Sequence, residues 1–214
     1  MADLVPEFER VTGHRVVGIY EPTNAIMARI KGGETSDVVI LIKQSVEELK
    51  QAGKVAADSP LDVARTSLVV AVLAGTPKPD ISTVDAFKKA MLDARSVARS
   101  EVGASGIHFT RVLERLGIAE QMRPKMKVVQ GAARTGDLIV KGEAEFAVQM
   151  MSELLPIPGV AIVGPLPGDL NFQIVLTAAM DISAKQPAAA TALIKYLAAP
   201  ESLPILKKKG MEGI

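Results

Sequence analysis

Cysteine and tryptophan are absent from this 214-residue chain, and aromatic residues make up only 3% of it. Without cysteine the chain has no disulfide, no thiolate zinc site, no iron–sulfur cluster and no thiol nucleophile. The two histidines, His14 and His108, lie far apart in sequence, so a histidine-based metal site is not expected. We therefore predict neither a metal nor a cofactor.

The chain also has no excess of one charge sign, because its 25 basic and 24 acidic residues nearly cancel and are interspersed. A partner with a phosphate backbone needs a basic face, and stacking of its bases needs aromatic rings. The lysines at 207–209 form the only basic cluster, and cations suit the last turn of a helix. The composition thus predicts no nucleic-acid partner.

No apolar run reaches the roughly 20 residues that span a bilayer, although 48% of the chain is hydrophobic. The longest run, around residues 67–74, has the length of a strand. The first eight residues contain neither a basic leader nor an apolar core, so they do not resemble a signal peptide. We expect either a mature fragment or a cytoplasmic protein, and no membrane span.

Strand-like and helix-like stretches alternate along the chain, which is typical of βαβ units. Strands are predicted near residues 15–20, 37–42, 67–74, 96–99, 127–130, 145–150, 160–164 and 173–179. Helices are predicted after Pro6, Thr23, Ser45, Ser82, Ser105 and Gly136, with a last pair near Gln186 and Pro200. The predicted fold class is α/β, with mainly parallel sheets and helices on both faces.

Two proline-containing segments are predicted to carry the chain between two lobes. Residues 75–80 follow an apolar strand, and residues 156–167 precede the last predicted strand. Lobe 1 would comprise residues 1–76 and 173–214, and lobe 2 residues 77–172. Two crossings form a hinge, and a cleft between hinged lobes is a natural site for a small ligand.

Two predicted helix starts lack the acidic residue that closes other starts in this chain. The helices at Ser45 and Ser82 have an acid three residues on, which forms a reciprocal capping box. The starts at Thr23 and Ser105 have none, so their amide hydrogens are free for an external anion. Ser105 is interpreted as an N-cap, and Gly106 as a residue that lets a ligand approach the backbone. A helix cap without a ligand is the structural alternative.

Four segments of the chain resemble type 2 periplasmic solute-binding proteins, and among them the molybdate-binding proteins of ABC importers. These segments are residues 8–14 (FERVTGH), 28–34 (ARIKGGE), 36–40 (SDVVI) and 140–145 (VKGEAE). The resemblance covers nearly the whole chain and implies a two-lobed α/β fold with two hinge crossings.

In that family the oxyanion is held by hydroxyls and backbone N–H groups at helix starts that face the cleft. The resemblance implies this role for Thr23, Asn24, Ala104, Ser105, Gly106, Ala133, Arg134 and Gln149. Met150 stands where molybdate binders commonly carry a tyrosine, so that hydroxyl is absent and Gln149 could substitute for it. Arg134 adds a bidentate partner that would favour a small carboxylate over a tetrahedral oxyanion.

Family members begin with a strand ahead of the first helix, and this chain lacks that first strand. Residues 15–20 and 37–42 would then pair directly, leave a gap, or take a strand from another copy. Whether residues precede Met1, and what the oligomeric state is, stay open at this point.

These features together predict a non-enzymatic solute-binding protein. It would close over a small anion, a molybdate-like oxyanion or a small carboxylate, and present it to a membrane permease. The resemblance implies a periplasmic location, with a cytoplasmic one as the alternative. The alternative function is an isomerase of a small unsaturated carboxylic acid, with His108, Glu101 and Asp137 as candidate bases. A sensory effector-binding domain is a third interpretation, although no helix-turn-helix segment is present.

Overall fold

The chain folds as two compact units in the computed structural model, which describes residues 1, 3–21, 23–101, 103–130 and 134–214. Unit 1 comprises Met1–Arg65 and Ile174–Ile214, and unit 2 comprises Thr66–Gln173. The boundary between these units falls inside a strand, Leu61–Leu73, and the predicted lobe crossing at residues 75–80 stays a prediction. This strand serves both units, because Val63 is buried in the core of unit 1 and Val69 in that of unit 2.

The helices and strands follow the alternation that the sequence predicts. The helices are α1 Leu4–Thr12, α2 Thr23–Lys31, α3 Lys43–Gln51, α4 Val84–Asp93, α5 Ala104–Arg115, α6 Ala119–Met122, α7 Thr135–Val140, α8 Met151–Leu154, α9 Pro187–Ala198 and α10 Leu203–Lys208. The strands are β1 Val38–Ile42, β2 Leu61–Leu73, β3 Val97–Ser100, β4 Met126–Val129, β5 Phe146–Met150, β6 Val160–Pro165 and β7 Gln173–Met180. Short 3-10 turns occupy Arg123–Lys125, Gly168–Leu170 and Pro200–Ser202.

Unit 1 has helices on both faces of its strands, which follow the order β1-β7-β2. Residues of α1, α9 and α10 pack with β2 and β7 in one apolar cluster, which includes Phe8 and Leu193. Residues of α2 and α3 pack with β1 in a second cluster, which includes Ile30 and Leu41. The side chains of β1 alternate between these two clusters, as the period of a strand requires.

Unit 2 contains the parallel pairs, in which β3 runs parallel to both β4 and β5. The strand β2 pairs antiparallel with β5 and with β6. In unit 1 the β1 and β7 pair is antiparallel as well. The sheets are thus mixed, and the prediction of mainly parallel sheets is wrong for these pairs. Alternation of elements along a sequence indicates an α/β class, but strand direction depends on how distant segments meet.

Residues 13–21 form neither helix nor strand, although 15–20 were predicted as a strand. A strand persists when its backbone groups pair with a neighbour, and no strand pairs with this stretch among the described residues. The Val16 N–H instead donates to the Glu9 carboxylate at 2.7 Å. Direct pairing of residues 15–20 with β1 is therefore not seen among the described residues, and pairing with another copy stays a prediction.

Two helix caps differ from the sequence interpretation by one to three residues. The helix α3 begins at Lys43 with Ile42 as N-cap, so Ser45 lies inside its first turn. The N-cap of α4 is Thr83 rather than Ser82, and its hydroxyl accepts from the Ala86 N–H at 3.1 Å. Within the described residues no helix is both long enough and apolar enough to cross a membrane.

Candidate functional site

The carboxyl ends of the parallel strands of unit 2 bring three helix starts to one edge. The strands β3 and β5 end at Ser100 and Met150, and α5 and α8 follow at Ala104 and Met151. The helix α7 follows β4 and begins at Thr135. In open α/β sheets, ligands bind in the crevice outside the carboxyl ends of the strands. This edge is therefore the candidate site that unit 2 provides.

The start of α5 is packed closely against the end of β3. The N-cap is Gly103, which has no side chain to accept a hydrogen bond, and the first turn contains no acid. A Cβ atom on Gly106 would lie 1.9 Å from the carbonyl oxygen of Ser100. Only glycine therefore allows this approach. The amide hydrogens of Ala104, Ser105 and Gly106 have no acceptor among the described residues.

Ser105 is buried, with 3% of its surface exposed, and it lies inside α5 rather than at the N-cap position that the sequence indicated. The N-cap is Gly103, which adopts an extended conformation, so the helix begins two residues earlier than predicted. The Oγ atoms of Ser105 and Ser100 are 3.3 Å apart, so one hydroxyl donates to the other. A pair of hydroxyls thus lies beside free amide hydrogens, a neutral set of donors for an anion.

A second polar group joins α7 to β5. Gln149 and Thr135 are both buried, and the Gln149 Oε1 accepts from the Thr135 hydroxyl at 2.6 Å and from the Thr135 N–H at 3.2 Å. Because its oxygen is fully engaged, the amide of Gln149 is fixed in one orientation, with its NH2 directed toward Glu153. The predicted role of Gln149 as a ligand donor stays a prediction, and its oxygen is engaged by Thr135.

Glu153 on α8 is a titratable group that the sequence analysis missed. Burial raises the pKa of its carboxyl, although the Met150 N–H and the Gln149 side chain donate hydrogen bonds that lower it. Part of the side chain is still exposed, so the carboxyl can exchange protons with solvent. An acid three residues beyond the end of a buried strand, within the first turn of the helix that follows, is the signal that would have indicated it.

Arg134 is the N-cap residue of α7, and its guanidinium is occupied by a carboxylate of its own helix. Its Nη2 and Nε atoms donate to the two carboxylate oxygens of Asp137 at 3.0 and 3.2 Å. Both side chains are partly exposed. Asp137 engages the Nε and Nη2 donors, and Nη1 makes no contact with Asp137, so the role of Arg134 as a ligand partner stays a prediction. Ala133, the neighbouring predicted residue, lies outside the described residues.

Thr23 and Asn24 belong to unit 1, where α2 begins at Thr23 without an acid in its first turn. Thr23 is half-buried and Asn24 is exposed. Glu21 lies just upstream, and its carboxylate pairs with Arg29 at 3.0 Å, which neutralises a charge that would oppose an anion. The convergence of this helix start with α5 on one ligand stays a prediction.

His108, one candidate base, is engaged in packing within unit 2. Its ring stacks on Phe172 with a centroid distance of 4.3 Å, and its Nε2 lies 3.2 Å from the Leu170 carbonyl oxygen. The Nε2 must carry a proton to donate to a carbonyl, so that atom is not a free base. Asp137 is likewise paired, with Arg134. Among the described residues, no group of three His, Asp or Glu side chains could hold a metal ion.

The chain is similar to two kinds of curated protein over nearly its whole length. A family model described as "Bacterial extracellular solute-binding protein" matches residues 1–212. Aconitate isomerase from Pseudomonas sp is 32% identical over 218 residues, which cover 99% of this chain and 82% of the relative. The molybdate-binding protein ModA from Azotobacter vinelandii is 28% identical and covers 98% and 84%.

Solved structures of substrate-binding proteins have the same architecture as this chain. A substrate-binding domain of a putative molybdenum ABC transporter from Clostridium difficile has a TM-score of 0.79 at 16% identity, covering 100% of this chain and 93% of that one. The periplasmic molybdate-binding protein of Azotobacter vinelandii has a TM-score of 0.76 at 22% identity, covering 98% and 92%. At these identities the likeness shows the fold alone, and the predicted two-lobed α/β class is confirmed.

Proposed function

Because the chain belongs to the bacterial extracellular solute-binding protein family, we propose that it captures a small anion and presents it to the permease of an ABC importer. The family assignment confirms the resemblance stated from the sequence. It also agrees with a periplasmic location, which we include in the proposal. A ligand of modest size fits a site built from helix starts rather than from a metal or a basic patch.

The observation that supports this proposal best is the start of α5. It is free of acids, it lies against the end of β3 at Gly106, where an added Cβ would clash with the Ser100 carbonyl, and it presents hydroxyls next to free amide hydrogens. Such a set stabilises negative charge without carrying a positive charge of its own. A molybdate-like oxyanion or a small carboxylate is the ligand class that this chemistry recognises.

The test introduces a fixed negative charge into the site. Ser105→Asp is expected to remove binding of molybdate, sulfate, citrate or cis-aconitate, whichever of these the parent chain binds, as measured by calorimetry. Ser82→Asp is the matched control, because it makes the same substitution near another helix start of unit 2, on an exposed residue. Unchanged affinity in Ser105→Asp would refute the proposal. Thermal unfolding without ligand checks that the variant is folded, and Ser105→Ala provides a milder version.

A second candidate function is isomerisation of a small unsaturated carboxylic acid. Two observations favour it: the 32% identity to a protein named aconitate isomerase, and the raised pKa of Glu153 beside Gln149. In this role a base takes a proton from the methylene carbon of cis-aconitate, and the electron pair delocalises over the adjacent double bond. The proton returns to the former vinyl carbon, so the product has the same formula.

Glu153 is the candidate base in this alternative, because its carboxyl accepts a hydrogen bond from Gln149 and burial raises its pKa, which makes the carboxylate a stronger base. The assay is deuterium incorporation from heavy water into cis- and trans-aconitate, followed by proton NMR. Glu153→Gln is expected to abolish exchange, while His108→Phe keeps it. Exchange that persists in Glu153→Gln and disappears in His108→Phe would contradict this assignment. No exchange in the parent chain would leave anion capture as the function.

A further inference from the structure

Arg99, near the end of β3, is half-buried and has no carboxylate partner among the described residues. The other arginines of unit 2 are either exposed and unpaired, as Arg111 is, or paired with an acid, as are Arg95, Arg115, Arg123 and Arg134. A charge that is partly withdrawn from water is costly unless an opposite charge compensates it. The unpaired guanidinium of Arg99 therefore indicates a place for an anionic group of a ligand.

The guanidinium lies at the carboxyl edge of the sheet, beside the start of α5. Its Nη1 donates to the carbonyl oxygen of Ser100 at 2.9 Å. The same oxygen would lie 1.9 Å from a Cβ atom on Gly106. The Ser100 carbonyl is thus in contact with both Arg99 and the first turn of α5. Arg99 supplies, next to the free amide hydrogens, the positive charge that the helix start itself lacks.

The stem of Arg99 is positioned by the sheet, while most donors of its guanidinium stay available. In register with Arg99 are Val128 on β4 and the buried Val148 on β5, and residues paired across neighbouring strands share a face. The guanidinium has five N–H donors, and the Ser100 carbonyl is their only acceptor among the described residues. The Nε and Nη2 atoms therefore keep the planar fork that matches a carboxylate.

A second group at this edge also has a donor without an acceptor. The hydroxyls of Ser100 and Ser105 carry one hydrogen each, and only one of the two can lie between their oxygens. The other hydrogen has no acceptor among the described residues, although Ser105 is buried. Glu101, the acid closest in sequence, is exposed and makes no ion pair with Arg99. The chain thus leaves both donor groups open to a ligand.

We propose that Arg99 determines the specificity of this site by binding a second carboxylate of the ligand, so that the ligand is a small di- or tricarboxylate. This inference rests on the proposed function, in which the start of α5 binds an anion. One carboxylate accepts from the amides and hydroxyls of α5, and another accepts from the Nε and Nη2 atoms of Arg99.

The Ser100 carbonyl is the reason for two anionic groups rather than one. An anion oxygen that bonded both the guanidinium and the first turn of α5 would have to lie beside this carbonyl oxygen, which repels it. Two carboxylates joined by a short carbon chain reach the two donor groups without sharing that position. A single tetrahedral oxyanion lacks this second group.

The first experiment measures by calorimetry the affinity of the parent chain for citrate, cis-aconitate, succinate, molybdate and sulfate. We expect one of the three carboxylates to bind most tightly. Molybdate or sulfate binding more tightly than all three would overturn this inference and leave the proposed anion capture standing. No binding of any of the five would refute the proposed function and this inference with it.

A matched pair of variants tests the residue. Arg99→Met keeps an apolar stem and removes the guanidinium, and it is expected to weaken binding of the best carboxylate at least tenfold. Arg111→Met removes the same charge from an exposed position on α5, and a change below twofold is expected. Equal affinities in the two variants would overturn the proposal, because only net charge, or nothing, would then have mattered. Thermal unfolding without ligand checks that both variants are folded.

Two further measurements do not depend on the folding of Arg99→Met. Arg99→Lys keeps a charge and a stem without the fork, and it is expected to bind the best carboxylate at least threefold more weakly than the parent. In the parent, the Nε–H resonance of Arg99, assigned by its absence from Arg99→Lys, is expected to shift when that carboxylate is added, while that of Arg111 does not. An unchanged Arg99 resonance at saturation, or full affinity in Arg99→Lys, would overturn the proposal.

Discussion

Gly106 allows the close contact between α5 and β3, and its replacement by alanine tests that contact directly. An added Cβ atom would lie 1.9 Å from the carbonyl oxygen of Ser100 and 2.8 Å from its carbonyl carbon. Real Cβ atoms essentially never approach other heavy atoms closer than 3.0 Å. The obstacle is main chain, so it cannot rotate away. The start of α5 must therefore move by about 1 Å or more from the end of β3.

Two effects of opposite sign decide the stability of Gly106→Ala. Helix propensity favours alanine over glycine by about 0.5–1 kcal/mol in a helix interior. Overpacking in a buried contact costs about 1–3 kcal/mol, and a clash with backbone belongs near the upper end of that range. We expect the clash to win, with a loss of about 2 kcal/mol in the free energy of unfolding. For a chain of this size that corresponds to roughly 4–8 °C in Tm.

Gly136→Ala is the matched control, because Gly136 also lies buried in the first turn of a helix of unit 2. Its added Cβ would meet the side-chain ends of Ile157 at 2.6 Å and Leu154 at 3.1 Å, which can rotate. We expect a change within about 1 kcal/mol, since propensity offsets the smaller contact. Urea unfolding followed by circular dichroism compares the three proteins. A Gly106→Ala variant as stable as the parent would refute the reasoning.

Three further expectations concern the polar residues of unit 2. Thr135→Val and Gln149→Leu are each expected to destabilise the chain. For Gln149→Leu the loss in the free energy of unfolding is about 2–4 kcal/mol, because the two buried donors of Thr135 are left unpaired. The double variant should lose less than the two single variants together, and unfolding energies in urea that simply add would contradict the pairing. Because the Glu153 carboxyl has a raised pKa in the folded chain, the folded state binds more protons, so stability is expected to fall as pH rises from the ordinary range of a glutamate through the raised value. Glu153→Gln should flatten this profile above that range, and an unchanged profile in thermal melts would exclude the assignment. His108→Phe keeps the stack on Phe172 and loses the bond to the Leu170 carbonyl, so calorimetry should show unchanged anion affinity at a stability cost of about 1 kcal/mol.

Local sequence signals predicted most elements of the fold correctly. The apolar run that was predicted as a strand at 37–42 forms β1 at Val38–Ile42. This feature depends on a few neighbouring residues, since apolar periodicity is a local property. Helix caps were predicted less accurately. The N-cap of α4 is Thr83 and not Ser82, because both residues carry a hydroxyl that can accept from a backbone N–H at a helix start.

Only part of the candidate site could be predicted from local sequence signals. Gly106 and Ser105 stood out in the sequence because no acid follows them, and both lie at the start of α5. Ser100, Thr135 and Glu153 did not stand out, because their roles depend on β3, α7 and α8 meeting at one edge of unit 2. Arg134 stood out as a partner for a carboxylate, and its pairing with Asp137, three residues on, could not be foreseen from that chemistry.

Residue types and short-range spacing are enough to indicate the helices, most strands, the α/β class and the absence of thiol chemistry. Strand direction and the unpaired state of residues 15–20 depend on the tertiary structure. Each depends on whether a distant segment supplies a hydrogen-bonding partner, and backbone pairing between remote residues leaves no mark in local composition.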